Sequence, residues 1–278
     1  MAQIEVGGTT VEYVREGRGE AILLCSPSWW PLDGWQLSGI PQLRDAYDVV
    51  AFNFRGIGAS QGTPGDYTVP SLADDALALL DALGIARAHL IGFAIGGAIA
   101  LQAARTQPER VASLVLAAVG AGEPARATRA VPEAVLRELR EVGYREHIRA
   151  HALNDDFAFS PASYRAHPER AAALADALWD HAGTEAEYLK HVLARQGYDT
   201  LADLAAVQQP ALVLVGAEDT VRRGASTPLQ VAYDLAAGLP HAELEVLPGV
   251  RHMLFWEAPE VCWQRVRRFL AAHPLAPA

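Results

Sequence analysis

Leu90-Ile91-Gly92-Phe93-Ala94-Ile95-Gly96-Gly97-Ala98-Ile99-Ala100 is the stretch whose local geometry decides the fold of this chain. It enters from the apolar run His89-Leu90-Ile91 and leaves into an apolar helical pattern ending near Arg105. A short apolar run of this kind reads as a strand buried on both faces. Glycines stand two residues before and two after Ala94. Small residues there let a strand and the following helix approach closely through a tight turn. The turn exposes its central residue above the sheet, and the next backbone N–H, that of Ile95, points into the space beside it. A G-x-G-x-x-G dinucleotide loop would need glycine where Ala94 stands, so that pattern is set aside.

The pattern extends on both sides. Ile4–Val6 and Val11–Val14 flank Gly7-Gly8, which suggests a hairpin. Ala21–Cys25 and Asp48–Phe52 read as further strands. Leu72, Ala76, Leu79, Leu80 and Leu83 recur at helical spacing, with Ser71 as the expected N-cap and Gly84 as the stop. Val111–Ala118 is a Val/Leu-rich strand. Strands alternating with helices predict βαβ units and a parallel sheet with right-handed crossovers. After Gly120 the alternation stops. Residues 123–200 show no convincing strand and carry helical stretches such as Pro132–Val142 and Ala171–Trp179. It resumes with a strand at Ala211–Val215, a helix near Pro228–Ala237, a strand at Leu244–Leu247 and a last helix over Pro259–Ala272. The expected organisation is a core of residues 1–122 and 201–278, interrupted by a helical insertion at 123–200.

Two further strand ends carry titratable groups. Val215-Gly216-Ala217-Glu218-Asp219 places an acid 125 residues beyond Ala94, and Pro248-Gly249-Val250-Arg251-His252 places a histidine 33 further on. Asn53-Phe54-Arg55-Gly56-Ile57-Gly58-Ala59-Ser60 looks like a D-x-R-G-x-G-x-S loop, and Arg251-His252-Met253 is followed by Glu257-Ala258-Pro259-Glu260. On these four motifs, in this order, the chain resembles the α/β-hydrolase superfamily over nearly its whole length. The resemblance implies an α/β fold with a mostly parallel eight-stranded sheet flanked by helices and a helical cap formed by 123–200. It puts Ala94 at the nucleophile position, Asp219 as the acid, His252 as general base and the Ile95 N–H as first oxyanion donor. Glu218 is the neighbour that competes with Asp219. The substrates implied are esters, lactones, epoxides, halides or carbon–carbon bonds.

The chain departs from that family twice. Ala94 stands where a nucleophile would, and it cannot attack anything. Cys25-Ser26-Pro27-Ser28 replaces the usual His-Gly and apolar residue. Pro27 has no N–H, so a second oxyanion donor falls to Ser26 or Ser28 by hydroxyl or backbone. Alanine at the turn admits two histories: an inactivating Ser→Ala change in an esterase or lactonase, or natural divergence. The second departure favours divergence. His252 would then act on water or on a substrate proton, in a cofactor-free hydratase, lyase, cyclase or oxygenase. A ligand-binding protein that has lost catalysis is a third possibility, and retention of both His252 and Asp219 argues against it.

Composition narrows the class further. Of 278 residues, 51% are apolar and 20% charged, which supports a large core and excludes global disorder. The net charge of −10 excludes a uniform nucleic-acid binder, because phosphate contacts need a basic face. The longest apolar run, Leu90–Leu101, has 12 residues, too few to span a bilayer. No secretory signal is visible, so a soluble cytoplasmic protein is expected, acting on a small molecule with no cofactor, no metal and no membrane; a homodimer is left open. Cys25 and Cys262 are too few for a disulfide framework. The expected pocket residues are Trp29, Trp30, Phe93, Phe157 and Trp179, with Trp35 reserved for core packing. Asp155-Asp156 with His151 reads as a solvated loop rather than a metal site.

Overall fold

A computed structural model describes residues 1–27, 29–122, 130–153, 158–181, 183–220 and 226–275, with backbone alone at 151–153 and 179–181. Strands β1 (Ala2–Val6), β2 (Thr9–Gly17), β3 (Glu20–Cys25), β4 (Tyr47–Phe52), β5 (Ala88–Phe93), β6 (Val111–Ala117), β7 (Ala211–Gly216) and β8 (Ala242–Leu247) form one sheet. Their order is β1-β2-β4-β3-β5-β6-β7-β8. β2 pairs antiparallel with β1 and β4, and every other pairing is parallel. The hairpin expected at Gly7-Gly8 is β1–β2, and both glycines take positive φ there.

The twelve helices of the described residues cover both faces. They are α1 (Asp33–Leu37), α2 (Gly39–Leu43), α3 (Val69–Ala82), α4 (Ile95–Thr106), α5 (Glu133–Val142), α6 (Tyr144–Leu153), α7 (Pro161–Ala166), α8 (Pro168–His181), α9 (Glu185–Ala194), α10 (Pro228–Gly238), α11 (Leu254–Glu257) and α12 (Pro259–Ala272). Alternate strand residues go to opposite cores, as the two-residue strand period requires. Leu23, Val50, Leu90 and Val213 join α3, α4 and α10 on one face. Ile22, Val49, Ile91 and Leu212 join α1, α8 and α12 on the other.

Helix α3 starts earlier than its hydrophobic spacing suggests. Its N-cap is Thr68, whose hydroxyl accepts from the Ser71 N–H at 3.1 Å, while the Ser71 hydroxyl accepts from the Thr68 N–H at 3.0 Å. Ser71 is therefore the third helical residue of a reciprocal capping box and not the cap, a correction to the expectation. Pro70 in the first turn needs no N–H, which makes the earlier start possible. The short helices α1 and α2 carry no periodicity of their own and were not expected.

Helices α5 to α9 all fall between β6 and β7. The ends of this helical segment are drawn together by an isolated bridge between Gly122 and Asp199. Ala130 and Gln196 add a reciprocal pair of hydrogen bonds, 2.9 and 2.8 Å.

The sheet order places the site. From β3 the chain passes to β4 on one side and then to β5 on the other. Loops leaving β3 and β5 therefore diverge at their carboxyl ends, where open α/β sheets form their ligand crevice.

Candidate active site

Four loops meet at that carboxyl edge: 26–32 after β3, the turn after β5, 217–220 after β7 and 248–253 after β8. The turn after β5 is tightly packed. A Cβ on Gly92 would lie 2.3 Å from the Gly96 carbonyl oxygen, and one on Gly96 would lie 2.1 Å from that of Cys25. One on Gly97 would meet Val119 at 2.3 Å. No side chain fits at these places, so the three glycines are what permit β5, α4 and β3 to approach. Ala94 sits at the apex with φ 52° and ψ −118°, a region that non-glycine residues rarely occupy. Its N–H donates to the Ala117 carbonyl at 2.9 Å and its carbonyl accepts from Gly97 at 3.1 Å. The sharp strand–turn–helix geometry is complete although the central side chain is a methyl group.

Asp219 and His252 are brought together. Nδ1 of His252 lies 2.7 Å from Oδ2 of Asp219, and both residues are buried. A carboxylate can only accept, so Nδ1 carries the proton and, in the neutral ring, Nε2 is left as the basic nitrogen. Gly216 makes the approach possible, since a Cβ there would lie 2.2 Å from the Val250 carbonyl oxygen. The Glu218 N–H ties the two loops at 3.0 Å to that same carbonyl. The Glu218 side chain is 48% exposed and 3.8 Å from Arg251, whereas that of Asp219 is 0% exposed, so the two neighbouring acids have separate partners.

The histidine loop is fastened from both sides. Buried Glu257 accepts from the Arg251 N–H at 2.8 Å and from the Ser160 N–H at 2.9 Å. The Met253 N–H donates to the Ala158 carbonyl at 2.9 Å. These bonds hold the helical segment to the loop that carries His252. The ring of His252 packs 5.1 Å from that of Phe93.

A cavity of about 90 Å³ opens here, lined by Ala94, Ile95, His252, Phe93, Trp29 and Trp30. Trp30 is buried and packs edge-on against Phe93 at 6.1 Å and Trp256 at 5.3 Å. Trp35 is fully buried in the core, as expected. Pro27 lines the cavity, but Ser26 does not. Ser26 is buried, and its hydroxyl accepts from Trp35 Nε1 at 3.0 Å. Its hydroxyl thus contacts the core ring of Trp35. Ser28 and Phe157 lie outside the described residues, as do the Trp179 side chain and Asp155-Asp156. Tyr188 of α9 meets the cavity only indirectly, with its ring 5.1 Å from that of Trp29.

The loop 53–60 is structural. Buried Asn53 accepts from the Leu32 N–H at 2.6 Å and donates to Glu12 at 2.7 Å, and Glu12 also takes the Ala59 N–H at 2.8 Å. Arg55 forms a bidentate pair with Asp75. Asn53 thereby braces the cavity loop after β3 from behind. Burial pushes the Cys25 thiol, beneath the turn, up to about 12, which leaves it inert at neutral pH. Among the described residues no three His, Cys, Asp or Glu side chains are grouped to hold a metal, and no helix is long and apolar enough to cross a membrane.

Sequence reasoning missed one part of the wall. Arg195, Tyr198 and Thr200, which follow α9, line the cavity together with Gly120 and Gly122. They lie in a region read only as helical insertion, and no motif marks them. Their position depends on the Gly122–Asp199 bridge, which joins residues far apart in the chain.

The fold and these loops define an α/β hydrolase, and comparison with known proteins agrees. The alpha/beta hydrolase fold family matches residues 20–259, and the chain belongs to it. It is 32% identical over 235 residues to a protein of Variovorax paradoxus (strain S110) named "Putative carbamate hydrolase RutD", covering 84% of this chain and 85% of that one. Among solved structures it is similar to the enol-lactonase from Burkholderia xenovorans LB400, with 25% identity, a TM-score of 0.81 and coverage of 97% of this chain and 100% of that one. It is also similar to Est816, described as an N-acyl homoserine lactone degrading enzyme, with 26% identity, a TM-score of 0.77 and coverage of 96% and 100%.

Proposed function

We propose that this protein is an enzyme in which His252, held by Asp219, acts as general base on a small, largely apolar organic substrate, with no covalent step at residue 94. The observation that carries this is the buried 2.7 Å His252–Asp219 hydrogen bond facing a cavity whose turn residue is alanine. Asp219 keeps the proton on Nδ1 and stabilises the imidazolium once Nε2 has taken a second proton. Ala94 lacks the one oxygen atom that a serine would place beside that nitrogen. A water molecule at that place would be activated directly and would attack an ester, lactone or carbamate carbon. The Ile95 N–H, the first of α4, would meet the developing oxyanion, aided by the positive end of a 12-residue helix. The names of the relatives support acyl-type substrates. The cavity of about 90 Å³ suits a compact one, since a cavity of about 150 Å³ already holds benzene. Residues 123–200 serve in this proposal as the cap that closes the site. Both cysteines are free and buried, which suits a reducing, cytoplasmic setting.

Pro27 favours a second use of the same base. With no N–H at that position, acyl transfer lacks one backbone donor of the usual pair, and proton abstraction from a substrate carbon, as in a lyase or cyclase, needs less oxyanion stabilisation. Hydrolysis of small esters, lactones and carbamates in ¹⁸O-labelled water, with intact-mass analysis for acyl-enzyme, tests the proposal. Turnover by the native chain without an adduct, and less than a tenfold change in Ala94→Ser, is expected. A gain of several orders of magnitude in Ala94→Ser would instead identify a serine hydrolase that has lost its nucleophile. Ligand binding with no turnover of any kind would make the protein a binder.

A further inference from the structure

We propose that the Thr200 hydroxyl donates to a second oxygen of the substrate, so that the site takes a compact ester, lactone or carbamate that also bears a ketone or hydroxyl group. This rests on the catalytic reading above and names the substrate class that it left open.

Thr200 lines the cavity and is completely buried. Its backbone is fully used: the N–H donates to the Ala121 carbonyl at 3.0 Å and the carbonyl accepts from Arg105 at 2.7 Å. Its Oγ1 has no hydrogen-bond partner among the described residues. The other polar side chains of the strip 195–200 are engaged within the protein. Gln196 exchanges two bonds with Ala130, and Tyr198 bonds Arg105 and Gln102. Asp199 accepts from the Leu201 N–H, and Arg195 also has a partner. A buried hydroxyl without a partner carries a desolvation penalty that a ligand oxygen would remove. The Thr200 hydroxyl lies 3.5 Å from the place a Cβ on Gly122 would take, and Gly122 lines the same cavity. A Cβ on neighbouring Gly120 would meet nothing within 4 Å, so there is open space beside the strip.

A second, independent feature decides what kind of ligand atom fits there. Val69, Ile95 and Pro228, which all line the cavity, are the first residues of α3, α4 and α10, helices of 14, 12 and 11 residues. Each helix presents the positive end of its dipole at its first turn. A ligand atom in that field gains when it carries partial negative charge, so an acceptor oxygen is favoured over an N–H donor. Thr200 then donates and the ligand oxygen accepts, and a hydroxyl supplies that donor without charge, which matches a ketone or alcohol oxygen.

The strip is fixed against α4, the helix that carries the Ile95 N–H. Arg105 of that helix donates to the Tyr198 hydroxyl at 2.7 Å and to the Thr200 and Ala202 carbonyls. The Tyr198 hydroxyl also reaches the Ala98 carbonyl at 3.4 Å. Ala98 lies four residues from Ala94, about 6 Å along the helix axis at ~1.5 Å per residue. The strip therefore meets α4 about one helical turn from the reacting position, on a surface set before the ligand arrives.

The test is calorimetric titration of the full chain with cyclohexanone and with methylenecyclohexane, which differ only in an oxygen replaced by CH₂. The native chain is expected to bind the ketone tighter. In Thr200→Val, which keeps the shape and removes the hydroxyl, the ratio of the two affinities should fall about tenfold. Thr200→Ser keeps the hydroxyl and should keep the preference. The melting temperature of Thr200→Val should be unchanged or higher, because the hydroxyl makes no bond in the free protein. If Thr200→Val does not fold by circular dichroism, Thr200→Ala removes the same oxygen and should give the same fall in the ratio. Absence of ketone binding by the native chain, a ratio that survives loss of the hydroxyl, or a lower melting temperature in Thr200→Val overturns the proposal. A ketone preference retained in a chain with no turnover would overturn the catalytic reading alone, and turnover without preference would overturn this one alone.

Discussion

The two halves of the site differ in what their side chains offer. On the β7–β8 side a carboxylate–imidazole pair is complete: Asp219 and His252 are buried, bonded at 2.7 Å, and their loop is fastened by Glu257. On the β3–β5 side the backbone is complete and the chemistry is reduced, with a methyl group at Ala94 and an imino acid at Pro27. The turn that holds Ala94 still has φ 52° and still excludes a Cβ at Gly92 and Gly96. Strained backbone of this kind costs on the order of 1–3 kcal/mol and persists where the surroundings over-determine it. The packing of β3, β5 and α4 over-determines it here, so the turn stands with a methyl group at its apex. The turn is thus held by backbone packing, whereas the His252–Asp219 contact depends on its side chains.

The sharpest way to break the comparison is His252→Ala. A positioned general base contributes roughly 10²–10⁴ in rate, so turnover of any substrate found in the panel should fall by that factor, about 3–5 kcal/mol of barrier. An unchanged rate would place the chemistry on the β3–β5 side instead.

Gly96→Ala tests whether that side is held by packing. The new Cβ would lie 2.1 Å from the Cys25 carbonyl oxygen and 2.7 Å from that of Ser26, both backbone atoms that cannot move independently. A loss of about 3 kcal/mol is expected by urea unfolding, in the range of severe overpacking. A loss under about 1 kcal/mol would mean that the turn is looser than its geometry indicates.

A second buried histidine sharpens the contrast with His252. His191 has no carboxylate on its ring; Nε2 donates to the Arg55 carbonyl at 2.9 Å, and burial lowers its pKa to about 4. The unfolded chain, with a histidine near pH 6.5, binds more protons than the folded chain between these values. Stability from the neutral ring is therefore complete above about pH 6.5 and is lost as pH falls towards 4. At pH 5 the loss should be about 2 kcal/mol, measured as the shift in urea midpoint from pH 7.5, and His191→Gln should remove most of it. An identical acid slope in the variant would assign the loss to other groups.

The smallest effect expected is that of Ala94→Gly. Glycine adopts positive φ without steric cost, so the variant should gain about 0.5–1 kcal/mol in stability despite the added freedom of its unfolded chain. A loss of similar size would show that the turn is unstrained with alanine.

Much of this was legible in the sequence. The strand order in the chain, the turn around Ala94, the helix over Pro259–Ala272 and the place of Asp219 and His252 after successive strands all follow from short-range patterns of apolar residues and glycine. Such patterns report on backbone conformation within a few residues, and hydrophobic period, glycine and proline act at that range. Other features have no local signal. Thr68 rather than Ser71 caps α3 because the start of a helix is settled by which hydroxyl reaches an N–H. The Ser26 hydroxyl has a core partner because Trp35, nine residues on, donates to it. The polar wall of Arg195, Tyr198 and Thr200 exists only because a bridge from Gly122 to Asp199 and the side chain of Arg105 bring distant segments onto one helix. Sequence alone determined which residues form strands and turns and which strand ends carry Asp219 and His252, since those depend on neighbours along the chain. Tertiary structure alone decided which side chains line the cavity, since that depends on partners the local pattern does not encode, and for the strip 195–200 these lie some eighty to a hundred positions away.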